Sequence, residues 1–288
     1  MSSLLVDLEA AFSFPEAGLS PAQQRSAALL KQISAAPKLA AVTSASRLEI
    51  RPAPDKASSG ISSLDALTGG LPRGCLTEIC GPDSSGRTSL LLAALAAATR
   101  REEVCTLIDV SDAFHPHSAT AAGVNLERLL WIRCGANAQS FLSRKRHQAT
   151  SLEEWERRRM EDPVEQALRA ADLLLQSNGF GMVAIDLAGV PMKMARRIPL
   201  TTWFRFRRAV ENTPTILLVT GQQSCAQSCA SLSIQLRTEN RKLRTGFRPT
   251  HTELLAGMEI HAEVLNARAE RKRVQSARNF ASKTAWIA

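Results

Sequence analysis

The chain has 288 residues, 44% hydrophobic and 22% charged, enough for one sizeable globular core with appendages. No apolar run approaches the roughly 18 residues of a membrane helix, and the opening MSSLLVDLEAAFSF carries Asp7 and Glu9 where a secretory leader would be basic. A formal charge of +9 points to an anionic partner, and six cysteines (Cys75, Cys80, Cys105, Cys134, Cys225, Cys229) without C-x-x-C spacing read as reduced thiols of a cytoplasmic protein, not as a zinc site.

Taken in chain order, residues 1–35 carry helical spacing in two pieces, a Leu4, Leu5, Leu8, Phe12 stripe and a helix opened by Ser20-Pro21. Residues 36–57 read as an Ala/Pro/Ser/Lys linker with one short strand at Arg47–Ile50. From residue 58 to 267 apolar strands alternate with helices. The strands are CLTEIC (75–80), VCTLIDV (104–110), ERLLWIRC (127–134), MVAIDL (182–187), TILLVT (215–220), SLSIQLR (231–237) and MEIHAEVLNA (258–267). Helices are expected in TSLLLAALAAATR, in PVEQALRAADLLLQSNG up to Asn178-Gly179, and in TTWFRFRRAVEN. Near-continuous apolar strands between helices predict an α/β fold, a mostly parallel central sheet covered on both faces. A charge-dense insertion occupies 135–162, with helix expected around Leu152–Met160, and residues 268–288 form a basic tail expected to be disordered.

Between CLTEIC and the following helix lies GPDSSGRTS, Gly81 to Ser89. The spacing of Gly81, Gly86 and Thr88 is that of the phosphate-binding loop G-x-x-x-x-G-K-[ST], with Arg87 in the lysine slot. A strand before the loop and a helix after it let backbone N–H groups converge on phosphate. Gly81, Pro82, Asp83, Ser84, Ser85, Gly86, Arg87, Thr88 and Ser89 are therefore candidate ligands of ATP. Asp186 ends an apolar strand in the manner of a Walker B carboxylate and is expected on the strand beside the loop strand. With Thr88 it would hold the Mg²⁺ shell.

The stretch from Ser58 to Val110, with its S-L-D, L-T-G-G-L-P-R-G and G-P-D-S-S-G-R-T segments, resembles the core of the RecA recombinase family, and AAGVNLERLL continues the match. It looks most like the ImuA-type RecA-related accessory proteins of bacterial DNA-damage mutagenesis cassettes. The resemblance implies a RecA-like P-loop NTPase core, and the departures from it bear on chemistry. Arg87 replaces a compact ammonium with a planar guanidinium. Ser111 stands in the slot of the family's water-polarising glutamate, with Asp112 next to it as a substitute only if the backbone shifts. The chain has no tyrosine to stack adenine; His117 or Ser118 stands there. The family's long second DNA-binding loop is reduced to GQQSCAQSCA, where Gln222 or Gln223 matches the residue that senses the γ-phosphate. The lysines that reach a neighbouring subunit's nucleotide are represented by Arg268 and Arg271 as subunit-interface candidates. Together these imply a weak or inactive ATPase.

Lys193, Arg196 and Arg197 follow the Walker B strand, where the family carries its first DNA-facing loop, and are candidates for single-stranded DNA. Trp203, Phe206 and Val210 fall on one helix stripe and read as core. The basic tail ends in Trp286 and Ile287, candidate anchors on a protein partner. The resemblance makes that partner a polymerase-like protein and RecA. The leading expectation is a DNA-repair accessory protein, an ImuA-like adaptor in damage-induced translesion synthesis and the SOS response. The alternatives are an active DNA-dependent ATPase and recombinase, and a cell-division inhibitor acting by protein contacts alone.

Overall fold

The computed structural model describes residues 20–35, 53–134, 162–243, 255–267 and 277–283. They fall in two units, Met1–Pro52 and Ala53–Ala288. In the first, α1 (Pro21–Ala35) starts at the proline that follows Ser20, because a helix leaves its first N–H unbonded and proline has none to lose. The Leu4–Phe12 stripe, the strand expected at Arg47–Ile50, the 135–161 insertion with its Leu152–Met160 helix, and Arg268, Arg271, Trp286 and Ile287 lie outside the described residues.

The second unit opens with β1 (Lys56–Ala57), paired antiparallel with β2 (Leu71–Pro72) around α2 (Ser62–Thr68). It continues through β3 (Cys75–Cys80), α3 (Arg87–Arg100), β4 (Cys105–Asp109), α4 (Pro116–Ala121) and β5 (Leu129–Arg133). Then come α5 (Pro163–Ser177), β6 (Met182–Asp186), the single turn α6 (Met192–Ala195), α7 (Leu200–Val210) and β7 (Ile216–Gly221). β8 (Leu232–Leu243), β9 (Leu255–Ala267) and β10 (Ala277–Lys283) complete it. The strands from β3 to β10 form one sheet in the order β10-β9-β8-β3-β7-β6-β4-β5. From β8 to β5 neighbours run parallel, while β9 and β10 add antiparallel.

Strand alternation divides the apolar side chains between two cores. Ile79, Leu107, Ala184 and Leu218 face α3, whose Leu90, Leu91, Ala94 and Leu95 fill one side. Leu76, Ile108, Val183, Ile185, Leu217 and Val219 face α5 and α7 on the other. Trp203 and Phe206 of α7 are fully buried there, edge to face at 6.0 Å, which bears out the core reading of that stripe. Burying each such ring stabilises the fold by about 2–3 kcal/mol.

Three expectations are corrected. β6, which carries Asp186, is not beside the loop strand: β7 lies between β3 and β6. Apolar content alone orders no parallel sheet, and β7 and β6 are equally buried runs. Residues 277–283, assigned to a disordered tail, form β10 against β9, and Phe280 enters the α3-side core. In the sequence ARNFASK one aromatic among polar residues gave no strand signal, because an edge strand buries only part of one face. The core also begins earlier than residue 58, since β1 pairs with β2.

Phe280 is the test of β10. Phe280→Ala is expected to lower unfolding stability by about 3 kcal/mol, read as a shifted urea midpoint. Glu103, after α3, carries the pH dependence: burial pushes its carboxyl up, but hydrogen bonds from Arg101 and Arg73 outweigh that and hold it below the usual carboxylate range. Its contribution is therefore full above that range and lost as pH falls through the lowered value. Glu103→Gln is expected to reduce stability by under about 1 kcal/mol at pH 7, and by progressively less as pH falls below the usual carboxylate range, read from urea midpoints across that range.

Candidate functional site

The loop between β3 and α3 is shaped by close backbone approach. A Cβ on Gly81 would lie 2.5 Å from the Leu236 carbonyl oxygen, so no side chain fits there. Gly86 has φ +91°, a left-handed conformation, and a Cβ on it would meet Ile260 Cδ1 at 2.2 Å. The loop is pinned at its ends and middle: Gly81 N donates to Gly221 O at 3.3 Å, Ser85 N to Pro82 O at 3.2 Å, and Thr238 Oγ1 to Ser84 O. α3 begins with no side-chain cap and no acidic residue in its first turn, which leaves its leading N–H groups open to an anion. Pro82, Asp83, Ser84 and Thr88 are exposed, whereas Ser85, Gly86 and Arg87 are buried.

Arg87 is 6% exposed, and its Nη2 donates to Asp83 Oδ1 at 2.9 Å. Its Nη1 and the Ser85 hydroxyl are buried without a hydrogen-bond partner. Two orphaned polar groups on one loop are costly unless a ligand completes them. They suit phosphate oxygens, so the residues present fit a nucleotide.

Asp186 sits level with Asp109 on β4 and Thr220 on β7. Its Oδ1 accepts from Thr220 Oγ1 at 2.6 Å and from Ala188 N at 2.9 Å. Burial pushes the Asp186 carboxyl up and the Asp109 charge adds to this; Thr220, Ala188 and the Arg87 charge pull down without cancelling it. The other carboxylates at this edge are engaged. Asp109 accepts from Ala113 N (3.1 Å), Phe114 N (2.8 Å) and Trp131 Nε1 (3.3 Å). Asp112, at φ +54°, holds Arg133 by two 2.7 Å bonds, and that guanidinium keeps its carboxyl below the usual range. Ser111 lies against Gly189 in the turn after β6, since a Cβ there would meet its Oγ at 2.3 Å. His115 caps α4, its Nδ1 accepting from Ser118 N at 3.2 Å, and its ring lies 5.5 Å from that of His117.

Gln222 and Gln223 diverge. Gln222 Nε2 donates to Ala188 O at 3.3 Å, toward the turn behind Asp186, while Gln223 Oε1 accepts from Arg196 Nη2 at 2.6 Å. Beside that contact opens a cleft of about 570 Å³ lined by Arg196, Arg197 and Leu200 on one side and Ser224, Cys225 and Gln227 on the other. The structure thus brings Arg196 and Arg197, but not Lys193, to the cleft, and joins the two segments that follow β6 and β7.

The residue that sets this arrangement was missed in the sequence. Glu78, 1% exposed in β3, accepts from Ser224 Oγ and Cys225 N at 2.6 Å and from Ala226 N at 3.0 Å. Its signal was a lone carboxylate in an otherwise apolar strand. Burial pushes the neighbouring Cys80 thiol up to about 12, with the Glu78 charge adding to it, so Cys80 is an inert thiol at neutral pH. Among the described residues no group of three or more metal-ligating side chains is present.

A mostly parallel sheet with helices on both faces, carrying a strand–glycine loop–helix cradle at one edge, is an α/β RecA-like core. Residues 30–142 match the family described as RecA N-terminal domain. The chain is also 34% identical over 151 residues to the mitochondrial DNA repair protein recA homolog of Dictyostelium discoideum, a match spanning 52% of this chain and 26% of that protein. The aligned part is about a quarter of that relative's length. Both matches support kinship with the RecA superfamily. No described helix is long and apolar enough to cross a membrane.

Glu78→Ala leaves two buried N–H groups unpaired and is expected to destabilise the fold by about 3 kcal/mol, with Glu78→Gln costing less, measured by urea denaturation.

Proposed function

We propose that this protein is a RecA-related DNA-repair accessory protein that holds ATP and Mg²⁺ at residues 81–89 and hydrolyses it weakly or not at all. The observation that carries this reading is the commitment of Asp109 and Asp112, the carboxylates at the end of β4, to backbone N–H groups and to Arg133. A general base needs a free acceptor within reach of the attacking water, and Ser111 is no base at neutral pH. Ser85, Arg87 and the N-terminus of α3 would receive the phosphates, and Thr88 and Asp186 would supply oxygen to Mg²⁺, which would neutralise phosphate charge. Single-stranded DNA is the polymer that fits the exposed Lys193, Arg196 and Arg197. The Dictyostelium relative's name, a DNA repair protein, supports the same biological setting. The resemblance to ImuA-type proteins adds the finer role, an adaptor in damage-induced translesion synthesis that contacts a polymerase-like protein and RecA.

Nucleotide binding and turnover, measured with and without single-stranded DNA, test this. The expected outcome is binding with little turnover in either condition. DNA-stimulated turnover of several ATP per minute, abolished by Asp186→Ala, would instead make the protein an active DNA-dependent ATPase. The double substitution Arg87→Lys and Ser111→Glu is expected to raise turnover by about a hundredfold, the lower end of what one positioned acid–base group contributes.

A further inference from the structure

Arg87 occupies the first turn of α3 with its guanidinium almost wholly buried, yet the carboxylate it engages stands in solvent: the Asp83 side chain is 86% exposed. Asp83 therefore fills no packing role, and its contact with Arg87 is its structural engagement among the described residues. The geometry divides the guanidinium. Nη2 is taken by Asp83, and Nη1 is left buried and unpaired, on the same loop as the unpaired Ser85 hydroxyl.

A lysine ammonium is a point charge whose donors rotate freely, so a loop carrying it needs nothing to aim it. A guanidinium is a planar fork, and its donors serve an anion only when the plane is fixed. A carboxylate on one edge fixes that plane and leaves the other edge to the ligand. A competitor would consume the donor that a ligand needs; Asp83 leaves one open.

We infer that Asp83 is a positioning residue that clamps Arg87 through Nη2, so that the buried Nη1 is presented to a phosphate oxygen of a nucleoside di- or triphosphate. Arg87 and Asp83 work as a pair. The inference rests on the nucleotide-binding reading of the cradle.

Calorimetric titration of the full chain with Mg-ATP and with Mg-ADP, on the wild type, Asp83→Ala, Arg87→Lys and the double variant, tests it. Asp83→Ala is expected to weaken binding roughly tenfold in the arginine background and by less than about twofold in the lysine background, the non-additivity that marks a coupled pair. Asp83→Glu, which keeps the carboxylate, should restore most of the affinity. Asp83→Ala leaves the buried guanidinium without its partner and should lower the ligand-free thermal midpoint, whereas Asp83→Glu should match the wild type; in Asp83→Ala the nucleotide-induced rise above its own ligand-free midpoint should also shrink. Unchanged binding in Asp83→Ala would overturn the inference. So would tighter binding, which would make Asp83 a competitor, or an equal loss in both backgrounds, which would make its effect independent of the arginine. If neither the wild type nor Arg87→Lys binds nucleotide, the cradle reading itself falls and takes the inference with it; wild-type binding with no Asp83 effect removes the inference alone.

Discussion

Parallel register is the constraint from which the site follows. Strands buried on both faces have no solvent side to absorb a slip, so β3, β7, β6 and β4 are held at a fixed height and all end at one edge. That register sets Cys80 opposite Gly221, Thr220 opposite Asp186, and Asp186 opposite Asp109. The glycine loop leaves this edge immediately after Cys80, so the cradle and the carboxylates share a rim without any element having been bent to bring them together.

Burying charge at that rim demands partners, and the chain supplies them unevenly. Glu78 and Asp109 are almost fully enclosed, and each is surrounded by N–H or O–H donors that replace water. Asp186 is less well served: two donors and the Arg87 charge do not offset its burial and the adjacent Asp109. Arg87 is the mirror case, a buried cation with one edge unanswered. A carboxylate short of donors and a guanidinium with an unpaired Nη1 at the same end of the sheet favour a ligand that brings both cation and anion. Magnesium with a phosphate chain has that composition.

The sequence carried much of this, and where it failed the reasons are physical. The glycine loop was legible because its backbone needs leave few residue choices: Gly86 has to be left-handed, and Gly81 has to pass under a carbonyl. The strands were legible as elements, since CLTEI, MVAID and ILLVT have no alternative to burial. Their order was not, because strands of equal hydrophobicity carry no label for their neighbours; β7 took the place expected of β6. β10 was hidden by its polar face, and Glu78 because a single carboxylate inside CLTEIC carries no mark of the amides it will accept from; it is the acceptor that fastens the chain after β7.

The same accounting of donors and acceptors bears on why the departures from the RecA pattern occur together. A site that hydrolyses needs one acceptor left free near the phosphates, and keeping a carboxylate free at a buried edge is costly. Here Asp112 has turned to Arg133 and Asp109 to the loop amides, and a serine stands where an uncompensated acid would otherwise have to be held. The donors, in contrast, remain unspent: the open N-terminus of α3, the Ser85 hydroxyl and one edge of Arg87. Selection for turnover opposes both trends, because it requires the costly acceptor and gains from a freely rotating ammonium. Selection for holding an anion opposes neither, and so, on the proposed reading of binding without hydrolysis, a rim that keeps its donors and engages its carboxylates is the expected result.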